Sequence, residues 1–408
     1  METGVWISLA AYFLLMLAIG VYAWKKSTSN SEEYMLGGRD LSPSVAALSA
    51  GASDMSGWLL LGLPGALFVS GLSQSWIGIG LVIGAWLNWL IVAPRLRQQT
   101  EEYDNSLTIP GFLGNRFPSQ AVLLRIVSAV VIVVFFSVYT ASGLVGGGKL
   151  FASAFGGDYM TGVVITLGVV LVYTVMGGFL AVSLTDFVQG CIMMLALVIM
   201  PIVILTTQGG AGVDQAAARL TAIDPDYLSM FKGVTLLGWI SAMAWGLGYF
   251  GQPHIIVRFM AVRSVKDVPT ARRIGMSWMI VSLIGAIAVG IFGRAYAERT
   301  GLQVTDPETI FIMLSDLLFH PLVTGFLYAA LLAAIMSTVS SQLLVASSSL
   351  TEDIYLTVFK RNATERELVN VGRLAVLAVG AVAVLLASNP NSEILGLVAN
   401  AWAGFGAA

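Results

Sequence analysis

The chain has 408 residues, 57% of them hydrophobic and only 11% charged, with a formal net charge of −2. Soluble domains carry about 25% charged residues, so this composition excludes one, and it offers no basic surface for nucleic acid. The apolar residues fall in runs of about twenty, enough to cross roughly 30 Å of hydrocarbon, whereas a membrane β-barrel shows short alternating segments. The fold class is therefore an all-α polytopic membrane protein with lipid as its surroundings.

The first apolar run covers 5–24 and is stopped by Lys25 and Lys26. No basic residue lies between Met1 and Val5, so the run reads as a retained helix and not as a cleaved signal. Further helices are predicted over 41–69, 76–93, 121–150, 162–176, 180–205, 233–260, 274–293, 321–350 and 369–386, and from residue 394 onward. That last run has no polar stop, and a chain truncated in mid-helix is expected. Two longer connections are polar. Residues 206–232 carry Asp214, Asp224 and Asp226, with a short helix at 215–220, and 306–319 reads as an amphipathic helix lying outside. The lone Cys191 excludes an internal disulfide. No linker or low-complexity stretch divides the chain, so one domain is expected over 1–408.

Basic residues orient the helices. With the N-terminus outside, sixteen of the 21 Lys and Arg fall on the inner side, including Lys25, Lys26, Arg39, Arg97, Arg125, Arg258 and Arg263. Lys149, Arg219, Lys232, Arg294 and Arg299 fall outside. This is the positive-inside pattern.

With 5–24 set aside as an extra N-terminal helix, ten helices divide into 41–205 and 233–408, five in each. An odd number of spans per half inverts the second half in the membrane. The leading helix of each half has a compromised backbone: Gly51 to Gly57 followed by Pro64 and Gly65 in one, Trp245 to Pro253 in the other. Glycine weakens a helix and proline removes a donor. Unwound backbone at membrane depth needs cover from protein or a wet cavity. Paired interruptions in two halves mark a transporter's substrate site, although small residues also serve ordinary helix packing.

Asp54 sits in the first interruption. A charge at a helix centre costs about 2.5–3.5 kcal/mol on the insertion scale, so it needs a cation, a proton or donors. It reads either as a cation-coupling group or as a cap for free backbone N–H groups, and the two are compatible. A second polar cluster includes Ser337, Thr338, Ser340 and Ser341. Hydroxyls and carbonyls are hard oxygen donors suited to Na⁺, while the bland reading is hydrogen bonding within their own helix. Asp186 lies near the inner end of its helix and reads as a cap or as a station for cations leaving inward. Trp58, Tyr139, Trp245 and Tyr249 lie near the interruptions, as pocket lining or as packing. Gly146 to Gly148 reads as packing or unwinding at an outer helix end. His254 and His320 have no metal-site spacing, so no transition-metal site is expected. Nucleophile motifs and phosphate loops are absent, which argues against an enzyme.

The strings Leu48-Ser49-Ala50-Gly51-Ala52-Ser53-Asp54-Met55-Ser56-Gly57-Trp58, Gly178-Phe179-Leu180-Ala181-Val182-Ser183, Trp245-Gly246-Leu247-Gly248-Tyr249-Phe250-Gly251-Gln252-Pro253-His254 and Met336-Ser337-Thr338 resemble the sodium/solute symporter family, over essentially the whole chain. The resemblance implies a LeuT-type fold of two inverted five-helix repeats after one extra helix. It implies a bacterial cytoplasmic-membrane protein that couples inward Na⁺ movement to uptake of a small solute, L-proline above all. By that resemblance Na⁺ is held by the carbonyls of Ala52, Met55 and Ala334 and the hydroxyls of Ser337 and Thr338, with Asp54 essential nearby. Substrate contacts fall to Ser56, Gly57, Trp58, Tyr139, Trp245, Tyr249, Gln252 and Pro253. Asp186, Ser340 and Ser341 match a second cation position or exit route, and Arg39 a functional arginine at the inner mouth.

The expected mechanism is alternating access, with no obligate protein partner evident. Na⁺ settles the broken Gly51 to Gly57 segment, and the solute then packs between the two broken helices. Two other readings stay open: a symporter for a sugar, pantothenate or another amino acid, and a transporter-like sensory input domain of a signalling protein.

Overall fold

The computed structural model describes residues 2–26, 30–207 and 212–407. Among these the chain forms seventeen α-helices and no sheet. They are α1 (Thr3–Lys26), α2 (Ser31–Leu36), α3 (Pro43–Asp54), α4 (Leu63–Ser70), α5 (Ser75–Leu87), α6 (Ala93–Glu102), α7 (Ile109–Arg116), α8 (Ala121–Phe155) and α9 (Tyr159–Thr206). After these come α10 (Gly212–Ile223), α11 (Leu236–Ala244), α12 (Pro253–Ala261), α13 (Val268–Thr300), α14 (Ile310–Leu318), α15 (Pro321–Ser348), α16 (Glu365–Leu386) and α17 (Ile394–Ala407).

Seven continuous helical stretches among the described residues are long and apolar enough to cross a membrane, and two shorter apolar helices, Leu236–Phe250 and Ile394–Gly406, accompany them. Two of the seven reverse direction inside. One turns at Gly71, whose φ of 77° favours glycine. Before that turn Gly51 packs on Trp278 and the Pro64 backbone reaches Gly290; after it Gly78 meets Leu283 and Gly275 meets Trp89. The chain thus ascends α13 and descends it again. The other turn is Gly178 in α9, with φ 54° and ψ −146°. Gly20 packs on Tyr173 before it, and Gln189 after it has come back far enough to donate to the Tyr12 hydroxyl at 2.8 Å. All eleven predicted segments are therefore present, the helices expected over 162–176 and 180–205 being two arms of α9.

Several expectations need correction. The first break is narrower than Gly51 to Gly57: Gly51 is still helical, and Pro64 sits harmlessly in the first turn of α4, where its missing N–H costs nothing. Gly146 to Gly148 lies well inside α8 and not at its end; a Cβ on Gly147 or Gly148 would meet Thr166 or Tyr159, so these glycines serve close packing. The short helices α2 and α7 were not foreseen. The helix expected at 215–220 is α10, and the amphipathic segment at 306–319 is a 3₁₀ turn at Pro307–Thr309 continued by α14. Met1, read as part of the N-terminal flank, and residues 208–211 of the 206–232 connection lie outside the described residues.

Candidate substrate and cation site

The site forms where the chain fails to stay helical. α3 ends at Asp54, and Met55 takes φ −79° and ψ 70°, an inverse γ-turn in which the Ser56 N–H reaches back only to the Asp54 carbonyl, at 2.9 Å. A π-helical turn, Trp58–Gly62, then leads into α4. Because Ser56 has turned to Asp54, the Ala52 carbonyl loses its usual partner four residues on. It accepts instead from Ser337 Oγ at 2.7 Å and Thr338 Oγ1 at 3.4 Å. The same hydroxyls lie 3.2 and 3.3 Å from the Ala334 carbonyl of their own helix, α15. Four of the five oxygen-bearing residues expected around Na⁺ thus meet at one point, all buried. The fifth, Met55, is buried in the turn itself, its N–H bound to the Gly51 carbonyl at 2.9 Å.

The second break lies opposite. α11 passes into a 3₁₀ turn, Trp245–Phe250, then Gly251 and Gln252 leave helical geometry before Pro253 opens α12. This turn aims the Tyr249 hydroxyl at Asp54 Oδ2. Tyr139 of α8 donates to the Asp54 carbonyl at 3.3 Å, and Asn88 Nδ2 holds the Tyr249 carbonyl at 2.9 Å. Asp54 is accordingly a helix-end group tied to the facing break, not a ligand of the Ala52 cluster. Ser56 Oγ accepts from the Trp58 N–H at 3.4 Å, Trp58 is buried, and Gly57 leaves room for Ile335, 3.1 Å from where a Cβ would stand. Trp245 stacks on Trp402, whose indole N–H bonds the Trp245 carbonyl at 2.6 Å; Tyr249 meets Trp402 edge-on. Among the described residues, Asp54 Oδ1 and both amide atoms of Gln252 are buried without a hydrogen-bond partner. Buried polar groups are usually paired, so these atoms lack the partners that burial ordinarily requires.

One turn further along α15, the expected second cation group has a different occupant. Asp186 Oδ2 accepts from Ser49 at 2.7 Å, from Ser341 at 3.4 Å and from Arg258 Nη2 at 3.2 Å. Arg258 also donates to Ser341 at 2.5 Å, to Ser49 at 3.1 Å and to the His254 carbonyl at 2.6 Å, and it lies over the Phe179 ring. Its assignment to an inner loop is corrected: Arg258 is fully buried in α12, paired with Asp186. Ser340 turns away and donates to the Ser337 carbonyl at 3.1 Å. Among the described residues no group of three or more His, Cys, Asp or Glu is placed to hold a metal ion.

Arg39 stands apart from these clusters. It bonds Asn105, Thr100, and the carbonyls of Met260 and Ser106 at 2.8–3.0 Å, and Arg97 bonds the Val262 carbonyl at 2.5 Å. Burial, with the Arg97 guanidinium beside it, pushes Arg39 down to about 10, so it stays charged at neutral pH. Beside this clamp the Leu41 N–H meets the Ala261 carbonyl and the Arg263 N–H the Leu41 carbonyl, at 3.0 and 3.1 Å. Arg39 and this bridge fasten the starts and ends of the two broken helices together.

Arg258, Asn88 and Trp402 escaped the reading of the sequence. The signal for Arg258 was available: it is flanked by Ile255, Ile256 and Val257 on one side and Phe259 and Met260 on the other, too apolar for an inner loop.

Two discontinuous helices meeting at a buried carboxylate, with freed carbonyls beside hydroxyls, are the architecture of a membrane transporter. The comparisons agree. The sodium:solute symporter family model matches residues 34–408, and the chain belongs to that family. It is 62% identical over 392 residues to the high-affinity proline transporter PutP of Bacillus subtilis, covering 96% of this chain and 82% of that one. It is 54% identical over 405 residues to the sodium/proline symporter of Staphylococcus aureus, covering 98% and 78%. Its structure matches a Na⁺-coupled sialic acid symporter in a substrate-bound outward-open state with a TM-score of 0.84 at 20% identity, over 95% of this chain and 82% of that one. The fold is thus of the LeuT type, two inverted five-helix repeats preceded by α1.

Proposed function

We propose that this chain carries L-proline inward together with Na⁺ by alternating access, in the cytoplasmic membrane of a bacterium with its N-terminus outside. The observation that carries the reading is the Ala52 carbonyl, freed by the turn at Met55 and met by Ser337 and Thr338. Na⁺ lying between these oxygens, with the hydroxyl protons turned away from it, would draw on the carbonyls of Ala52, Met55 and Ala334 and on both hydroxyl oxygens. It would fasten the α3 break to α15 and so set Ser56, Gly57 and Trp58 for substrate. The names of the two relatives, both proline carriers at more than half identity, support the choice of solute.

Proline has an apolar ring, a carboxylate and a secondary ammonium. The ring suits the aromatic walls of Trp58, Tyr139, Trp245 and Tyr249. The carboxylate suits the free N–H groups at a helix start, where the dipole is positive. The ammonium suits the unpaired Gln252 carbonyl oxygen beside Pro253. The repeats at 41–205 and 233–408 would rock against each other. Each Na⁺ moved inward gains about 2.3 kcal/mol per 100 mV of membrane potential. Proline must tighten Na⁺ binding by the factor by which Na⁺ tightens proline binding.

The test is uptake of labelled proline into vesicles bearing the protein, with an inward Na⁺ gradient and with K⁺ in its place. Accumulation that needs Na⁺, and that unlabelled proline competes away while sugars and pantothenate do not, is the expected result. Accumulation indifferent to Na⁺, or competed by one of those other solutes, would overturn the reading.

A further inference from the structure

A cavity of about 270 Å³ lies away from the breaks, between α1, α8, α9 and α15. Trp6, Leu9 and Phe13 line one side, Phe151 and Phe155 another, and Met336 closes the deep end. Trp6 stacks on Phe155 at 5.4 Å at the mouth. Trp6 is 53% exposed and Ile165, also on the wall, 46%, so the cavity opens on the outward-facing surface of membrane-crossing helices. The only polar side-chain groups on its wall are the buried Thr166 hydroxyl and the Trp6 indole N–H.

The setting decides the occupant. A wall that is almost wholly hydrocarbon has too few donors and acceptors to hold an amino acid or an ion. What surrounds the mouth is the hydrocarbon of the bilayer, continuous with the cavity wall. The lining runs about 10 Å along α1, from Trp6 to Phe13, and reaches inward to the fully buried Met336, which is room for part of an alkyl chain. Leaving it empty forfeits the dispersion contacts of its lining, whereas a flexible alkyl chain recovers them. We propose that one acyl chain of a membrane phospholipid enters here from the side and ends against Met336.

That end point matters because Met336 is adjacent to Ser337 and Thr338. Its sulfur accepts from the Tyr12 hydroxyl at 3.6 Å and its carbonyl from the Tyr173 hydroxyl at 3.1 Å. The acyl chain therefore backs the stretch of α15 that presents the two hydroxyls. The inference rests on the cavity and its membrane setting, and stands whether or not proline is the solute.

The experiment places the full chain in phosphatidylethanolamine–phosphatidylglycerol vesicles doped with a phosphatidylethanolamine carrying a photoactivated diazirine midway along one acyl chain. After illumination, peptides are mapped by mass spectrometry. Enrichment of adducts on Leu9, Phe13, Val169 and Leu332 over lipid-facing Ile202 and Leu385 by about tenfold is expected. Leu332→Trp, which fills the slot, removes the enrichment, while Ile202→Trp on the outer surface leaves it. Should Leu332→Trp fold poorly, Val169→Phe gives the same reading. Adducts spread evenly over all lipid-facing residues, or enrichment unaffected by the filling variants, would overturn the proposal.

Discussion

The Ser337 hydroxyl donates to the Ala52 carbonyl at 2.7 Å, joining α15 to the end of α3 at the one level where α3 is about to lose its helical bonds. A proton here holds together oxygens that a small hard cation would hold more tightly, since interactions with a charged group exceed neutral hydrogen bonds.

Ser337→Ala should therefore raise the Na⁺ concentration for half-maximal uptake at least about tenfold, given about 1.5–3 kcal/mol for an interaction with a charged group. Thr338→Ala, whose hydroxyl is more distant, should raise it less. Uptake measured against Na⁺ at fixed proline checks this, and an unchanged Na⁺ dependence in both variants removes these side chains from the cation site.

Asp54→Asn keeps the shape of the side chain and deletes its charge. It should abolish Na⁺-driven uptake while leaving expression and thermal unfolding near wild type, because the amide still meets Tyr249. Tyr249→Phe leaves the carboxylate without the hydroxyl that bridges the two breaks, and should lower proline affinity more than Na⁺ affinity. Equal loss of both affinities in Tyr249→Phe would argue against this division.

Asp186 and Arg258 are both fully buried, so each needs the other. Removing one partner of such a pair costs about 3–5 kcal/mol, whereas apolar replacement of both is often neutral or stabilising. Asp186→Leu and Arg258→Met should each lower the unfolding temperature in detergent, and the double variant should recover most of the loss. A double variant as unstable as the sum of the singles would show the two act separately.

Arg39→Ala removes four hydrogen bonds beside the Leu41–Ala261 bridge. Amide exchange at Leu41 and Arg263, whose N–H groups form the bridge beside it, should then accelerate at least about tenfold, while exchange in α13 stays unchanged. Unaltered exchange at both amides would show that the bridge stands without the clamp.

The eleven apolar segments and the two breaks were legible because membrane helices announce themselves by length, and glycine and proline announce where they fail. The hydroxyls of Ser337 and Thr338 stood out in an apolar run, but on their own they read as bonds within their helix, and only the family resemblance set them against Ala52. What lay beyond reach was pairing between distant segments. Nothing near Asp54 in the chain points to Tyr249, and nothing near Asp186 points to Arg258; each pair exists only because the second broken helix packs on α3, and α3 in turn on α9. The width of the first break was likewise hidden, since Gly51 is tolerated in a helix when Trp278 covers it.

The reversal at Gly178 has a bearing on how the protein is made. The two arms of α9 are joined with no polar loop between them, and the residues from Met176 to Leu180 carry no charge. The insertion machinery thus finds no basic flank there by which to orient either arm. The pair therefore enters as one helical hairpin, its orientation inherited from Lys25 and Lys26 before it and from the basic cluster at Arg263 to Arg273 after it.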